Sequence, residues 1–266
     1  IFPQGTRGEK FFWHKSQRQP LVLKKALSCD IIQVIDKNLR LMDKNSSLAQ
    51  FQNLIGEIYG LPDDRLYSIP DLLVHKQRFA MRALKGIRRG NMDKLKLNLL
   101  ISFSWLMAIA NRLHINVEDE VWKRFPMLCS YCGGKPCRCK KIKLDKRATV
   151  KIDGSVRPKT VALFQNMFLQ IYPVGHRTLA DAGVHLAEEV GETSEAIHTY
   201  LGQHKEKQFN EIKFEMADYV SCFFGVANSA KIDVAGSLIK MFAHGCHVCG
   251  KIPCQCGFSK IAKIKT

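Results

Sequence analysis

The chain has 266 residues, of which 41 are Lys or Arg and 24 Asp or Glu, for a formal net charge of +17. An apolar share of 46% is enough for a folded core and excludes a disordered polycation. The longest apolar stretch, residues 99–110, is interrupted by Ser102 and Ser104 and is too short to span a membrane, so it reads as a buried helix. The charge is uneven: residues 1–150 hold 28 basic and 13 acidic side chains, the remainder 13 and 11. That split predicts two parts with different duties. The chain begins at Ile1 without Met, which predicts a processed or excised fragment, and with no secretory signal visible a cytoplasmic location is expected.

In chain order, residues 1–47 form an N-terminal segment in which 21–43 has helical spacing and predicts one extra helix. Helices follow near 48–59, 66–86, 93–113 and 117–127. A cysteine cluster, CSYCGGKPCRC, then places Cys129, Cys132, Cys137 and Cys139 within eleven residues, with Gly and Pro to turn the chain. Residues 143–160 are polar and charged and predict a linker. Beyond it the pattern returns: helices near 161–172, 178–201, 207–230 and 233–243, with Asp233 placed to cap the last and Gly202 to end the second. The second cluster, CHVCGKIPCQC, holds Cys246, Cys249, Cys254 and Cys256 at the same spacing. Residues 258–266 are a basic tail.

The two cysteine clusters are copies, and so is what precedes them. Phe51-Gln52-Asn53-Leu54 recurs as Phe164-Gln165-Asn166-Met167 and Ile58-Tyr59 as Ile171-Tyr172, at an offset of 113; Ala110-Asn111 recurs as Ala227-Asn228 at 117, as do the cysteines. The difference is a short insertion around residues 202–208. The chain is therefore expected to be all-α: two tandem four-helix-type bundles, over 48–142 and 161–257, forming a pseudo-dimer, each ending in a four-cysteine knuckle. Four thiolates at this spacing suit one tetrahedral zinc ion with no open position, hence two structural sites. A disulfide framework and an iron–sulfur cluster are the alternatives that spacing leaves open. Cys29 and Cys222 stand alone and read as core residues, and His247, inside the second cluster, as a bystander.

Chemistry is expected in the second copy. Glu189 and Glu192 are three apart on one helix, and Glu215 and Asp218 are three apart on the next, so each pair lies on neighbouring turns of one face. Those faces continue into Leu186, Ala196 and Tyr200 on one helix and Cys222 and Val226 on the other. Acids clustered on packed faces repel and are costly to bury unless a cation neutralises them, and Mg²⁺ or Mn²⁺ with oxygen ligands meets that need. The first copy has lost the set: His75, Lys76 and Phe79 replace Glu188, Glu189 and Glu192, and Asn98 and Ile101 replace Glu215 and Asp218.

The pattern Glu188-Glu189-x-x-Glu192 followed by Glu215-x-x-Asp218 resembles the EExxE…ExxD signature of the all-α NTP pyrophosphohydrolase (MazG-like) superfamily, over roughly residues 161–243, with the first copy a degenerate relative. The resemblance implies Mg²⁺ held by Glu189, Glu192, Glu215 and Asp218, with Glu188 as an auxiliary ligand or orienting the attacking water. It also implies hydrolysis of a nucleoside triphosphate to the monophosphate and pyrophosphate. Lys240 matches a region where the family keeps a phosphate contact, with Asn228 a further polar candidate; Lys205 and Lys207 in the inserted loop are added as phosphate contacts. Pairing of bundles in the family implies one site per chain in an intrachain pseudo-dimer, further dimerisation left open.

Two other readings stand beside this one. Lys85, Arg88, Arg89, Lys94 and Lys96, with Arg138, Lys140, Lys141, Lys143, Lys146 and Arg147 after the first knuckle, suit nucleic-acid phosphates. A nucleotide sensor with little turnover is the third.

Overall fold

The computed structural model describes residues 41–142, 145–175, 177–257 and 260. The helix expected over 21–43 and Cys29 fall outside these residues, apart from 41–43, which are not helical; most of the basic tail also falls outside them. Among the described residues the protein is all-helical, with eight α-helices: α1 (Leu48–Leu66), α2 (Ile69–Arg88), α3 (Met92–Arg112), α4 (Val117–Arg124), α5 (Val161–Ile171), α6 (Leu179–Gln203), α7 (Glu206–Ser229) and α8 (Val234–Met241). Residues 145–160 hold only a short 3-10 turn, Gly154–Val156. No helix among these residues is long and apolar enough to cross a membrane.

Local chemistry sets the helix limits. Ser47, Ser68 and Thr178 each cap a helix and close a capping box with Gln50, Asp71 and Asp181. Asp233 caps α8 as expected, accepting from the Gly236 N–H at 3.0 Å. Gly202 does not end α6; the helix runs to Gln203, and His204 takes the left-handed turn at φ 52°. Helix α1 also outruns its expected end, passing through Pro62 to Leu66. A proline inside a helix leaves the carbonyl four residues back without its donor. Here that carbonyl belongs to Ile58, and the N–H of Cys254 in the second cysteine cluster takes it at 2.7 Å. The helix survives because a distant segment supplies the missing bond.

The two halves repeat one plan. In the first, Gln52 Nε2 donates to Asn111 Oδ1 and to the Ile115 carbonyl, while Gln52 Oε1 accepts from the Val117 N–H. In the second, Gln165 makes the same three bonds to Asn228, Ile232 and Val234. Each clasp ties the first helix of its half to the third and to the start of the fourth.

The halves share one core. α2 and α3 form one antiparallel hairpin and α6 and α7 the other; α2 packs on α6, and α7 packs on α3 and α4. Gly183 of α6 makes the first of these approaches close, since a Cβ there would meet Ile87 Cδ1 at 2.9 Å. Helix α3 is buried almost all round from Leu95 to Ala110, as the apolar stretch in its sequence requires. Its Phe103 ring stacks on Phe223 of α7 at 4.1 Å, and its Ser102 hydroxyl bonds the Tyr219 hydroxyl at 2.7 Å.

Each cysteine cluster sits against the opposite half. The Cys137 N–H donates to the Ile171 carbonyl at the end of α5 at 2.8 Å, the counterpart of Cys254 on Ile58. Tyr172 donates its hydroxyl to Cys129 Sγ at 3.5 Å, and Tyr59 bonds His247 Nδ1 at 2.9 Å.

Candidate metal centres and the carboxylate site

Both cysteine groups have the geometry of a tetrahedral metal site. Zinc–sulfur bonds of roughly 2.3 Å set sulfur–sulfur edges of about 3.8 Å. The observed separations are 3.7 Å for Cys129–Cys139, 3.9 Å for Cys132–Cys137, 4.0 Å for Cys246–Cys256 and 3.9 Å for Cys249–Cys254. All eight thiols are free, at sulfur separations well beyond a disulfide bond. Burial opposes ionisation of Cys132, but N–H groups of Arg138 and Gly134 outweigh it and lower the thiol to about 6. Cys249 falls to about 6 in the same way, through Gln255 and Lys251. Each cluster can hold a metal ion such as zinc. His247 stays outside its cluster, engaged by Tyr59.

The acids converge as well. Ligand atoms of Glu189, Glu215 and Asp218 lie within 4.8 Å of one another between α6 and α7. Thr193, fully buried, donates to the Glu189 carbonyl at 2.6 Å and lies 3.5 Å from the Glu215 carbonyl, pinning the two helices at the level of the acids. Burial, then the charges of Asp218, Glu192 and Glu215, push Glu189 up to about 8; burial and the charges of Asp218 and Glu192 push Glu215 up to about 7. Glu189 Oε2 is buried without a hydrogen-bond partner. An orphaned oxygen among hard oxygen donors is what a divalent cation such as Mg²⁺ would satisfy, so the residues fit that ion.

Glu192 is exposed at the rim, close enough to Glu215 to hydrogen-bond it. Glu188 lies outside the cluster; it is exposed and its Oε2 is 3.0 Å from His185 Nδ1. Asn228 belongs to the Gln165 clasp through both ends of its carboxamide. Lys240 is exposed on α8, two residues before Phe242, whose ring meets Phe51 and Tyr59 of α1, so it stands by the first half. Lys205 and Lys207 are exposed at the α6–α7 turn, roughly 15 Å along the helices from the acids at 1.5 Å per residue. None of these four joins the carboxylates.

The cations at the site are others. Arg124, at the end of α4 in the first half, grips Asp218 with two bonds, Nε to Oδ1 at 3.1 Å and Nη2 to Oδ2 at 2.6 Å. Lys76 of α2 is fully buried beneath the cluster, its Nζ 4.6 Å from the Tyr219 ring centroid and without a hydrogen bond. Desolvation lowers its ammonium to about 7, against the opposing pull of Glu189. Sequence comparison of the halves could have flagged Arg124, because its counterpart in the acid-bearing copy is the neutral Met241.

Beside the acids a cavity of about 180 Å³ opens between the first cysteine cluster and α6–α7. Arg138, Lys140, Lys141 and Arg177 line it, with Tyr172 and Cys222. Cys222, one turn beyond Asp218, marks how near the two lie, since its thiol is pushed up by burial and by the charge of Glu189. The equivalent space in the first half, between the second cysteine cluster and α2–α3, is apolar and only about 30 Å³; Trp105 lines it at the position of Cys222 and stacks on His75. The second half has a basic cavity against its cysteine-facing side, and the equivalent space in the first half is apolar and nearly closed.

Compared with known proteins, the chain matches no family model, no curated protein and no solved structure.

Proposed function

We propose that the chain is a Mg²⁺-dependent nucleoside triphosphate pyrophosphohydrolase, with its active site in the second half and the first half serving as an intrachain pseudo-dimer partner. The observation that carries this reading is the convergence of Glu189, Glu215 and Asp218 between α6 and α7, with a cavity lined by four cations beginning one turn beyond Asp218, at Ser221 and Cys222. Glu189, Glu215 and Asp218, with Glu192 at the rim, would hold the metal. When bound, Mg²⁺ would supply neutralisation of the phosphate charge and a more acidic bound water. Arg138, Lys140, Lys141 and Arg177 would bind and orient the phosphate chain against the acids. Arg124, delivered by the first half, would hold Asp218 in place and stand ready to meet charge that develops on the phosphate. Zinc in the two cysteine knuckles would be structural, the first knuckle fixing the Arg138–Lys141 rim.

A sensor reading draws on the Arg124–Asp218 pair, which a metal must share or displace before turnover. A panel of (d)NTPs with Mg²⁺, scored for pyrophosphate against orthophosphate, decides between the readings. Glu189→Gln and Asp218→Asn are each expected to lower pyrophosphate release by about a hundredfold or more, as loss of a catalytic electrostatic group does, with the helical melt retained. Nucleotide binding without release would favour the sensor, and unchanged release in both variants rejects the site.

A further inference from the structure

The first half has a cavity on the hairpin that corresponds to the acid-bearing one, nearer the turn between its two helices. Between α2 and α3 lies an opening of about 440 Å³ lined by Arg82, Lys85, Arg89, Asn91, Lys94 and Asn98. The repeat offsets map these positions onto the acid-bearing hairpin: Arg82 stands for Glu195, Lys94 for Glu211, Asn98 for Glu215, and Lys85 for His198. Arg82 and Lys94 thus reverse the sign of an acid, Asn98 neutralises one, and Lys85 and Arg89, opposite His198 and Gly202, add positive charge.

The geometry concentrates that charge. Arg82, Lys85 and Arg89 follow one face of α2 at helical spacing, and Lys94 and Asn98 face them from α3. Gly86 lets the helices nearly touch at the floor, since a Cβ there would meet the Leu95 backbone N at 2.7 Å. Helix α3, whose first turn starts at the cavity, adds the positive end of its dipole. Among the described residues Lys85, Arg89 and Lys94 have no ion pair with a carboxylate. Like charges held around one space repel until an anion fills it. No aromatic ring lines the cavity, so it offers no stacking platform for single-stranded bases.

We propose that this cavity is a second, metal-independent binding site for a compact polyphosphate, either inorganic or the phosphate chain of a nucleotide. It is independent of the acidic site and stands whether or not that site turns over.

Calorimetric titration of inorganic tripolyphosphate in Mg²⁺-free buffer tests it, with adenosine triphosphate as a second arm to separate an inorganic from a nucleotide ligand. The expected result is a binding event that weakens about tenfold or more in Lys85→Ala/Arg89→Ala, in keeping with the loss of two charge-assisted contacts. Lys94→Ala, on the facing helix, should weaken the same event, which guards against local damage to α2. Arg177→Ala/Lys140→Ala, at the other cavity, should leave it in place. The proposal is overturned if Lys85→Ala/Arg89→Ala binds tripolyphosphate as wild type does, if Lys94→Ala has no effect, or if only Arg177→Ala/Lys140→Ala loses binding. It is also overturned if a single-stranded oligonucleotide binds through Lys85 and Arg89 more tightly than tripolyphosphate at equal phosphate concentration.

Discussion

Glu189 concentrates the electrostatics of the site in one side chain. Its carboxyl is raised to about 8 by burial and neighbouring acids, so folding favours the protonated form. Such a group lends full stability below the pKa of the unfolded chain and loses it as pH climbs through the folded value. Glu189→Gln is neutral at every pH and serves as the reference. Without divalent metal, the melting temperature of Glu189→Gln minus that of wild type should grow between pH 5 and about 8.5. Added Mg²⁺ should shrink the difference, because a bound cation replaces the proton. A difference that is flat with pH and indifferent to Mg²⁺ would reject a metal site at Glu189. The sequence made these acids legible because a spacing of three on a helix is a statement about one face. It left Arg124 unread: the guanidinium reaches Asp218 across 94 positions of chain, and no local pattern encodes that meeting.

At the scale of the element, the helices follow their caps, and the sequence placed most of their ends within a few residues. The two misreadings differ in cause. Pro62 carries a local stop signal that a tertiary contact overrides, because Cys254 satisfies the Ile58 carbonyl that Pro62 strands. Past Gly202, in contrast, the helix runs one residue further and His204 takes the left-handed turn. The Gln52 and Gln165 clasps offer a quantitative check on the repeat. Either Gln→Ala change strips an Asn side chain, a carbonyl and a helix-start N–H of their partner, at a cost of about 1–3 kcal/mol. Denaturant unfolding of Gln52→Ala and Gln165→Ala should therefore give losses of similar size, since the partners are equivalent. A large loss in one and none in the other would show that the second clasp is idle.

For the whole molecule, the shared core argues against independent halves. Phe103, Ser102 and Lys76 of the first half are buried against Phe223 and Tyr219 of the second. Unfolding in denaturant should thus be a single transition by both fluorescence and circular dichroism, and an excised 161–257 fragment should fail to reach the helicity of the same residues in the full chain. Two separated transitions would contradict this. The uneven charge that opens the sequence also takes its structural place here, as an acidic hairpin in one half and its basic counterpart in the other. Which half contributes which wall of a cavity was not readable, because the cysteine clusters exchange places between the halves and only the folded chain records that exchange.

The exchange has a consequence for biosynthesis. Cys137 docks on Ile171 and Cys254 on Ile58, so neither cysteine cluster can seat while the first half alone has left the ribosome. The carbonyl of Ile58 waits for a donor made almost at the end of the described chain, a pairing of high sequence separation that is slow to close. During synthesis, the nascent first half must carry the uncovered apolar faces of α1 and α3 until the rest of the chain emerges. Maturation is thereby postponed to a late step in which both cysteine clusters dock, and the long wait makes the emerging chain a natural client for chaperones.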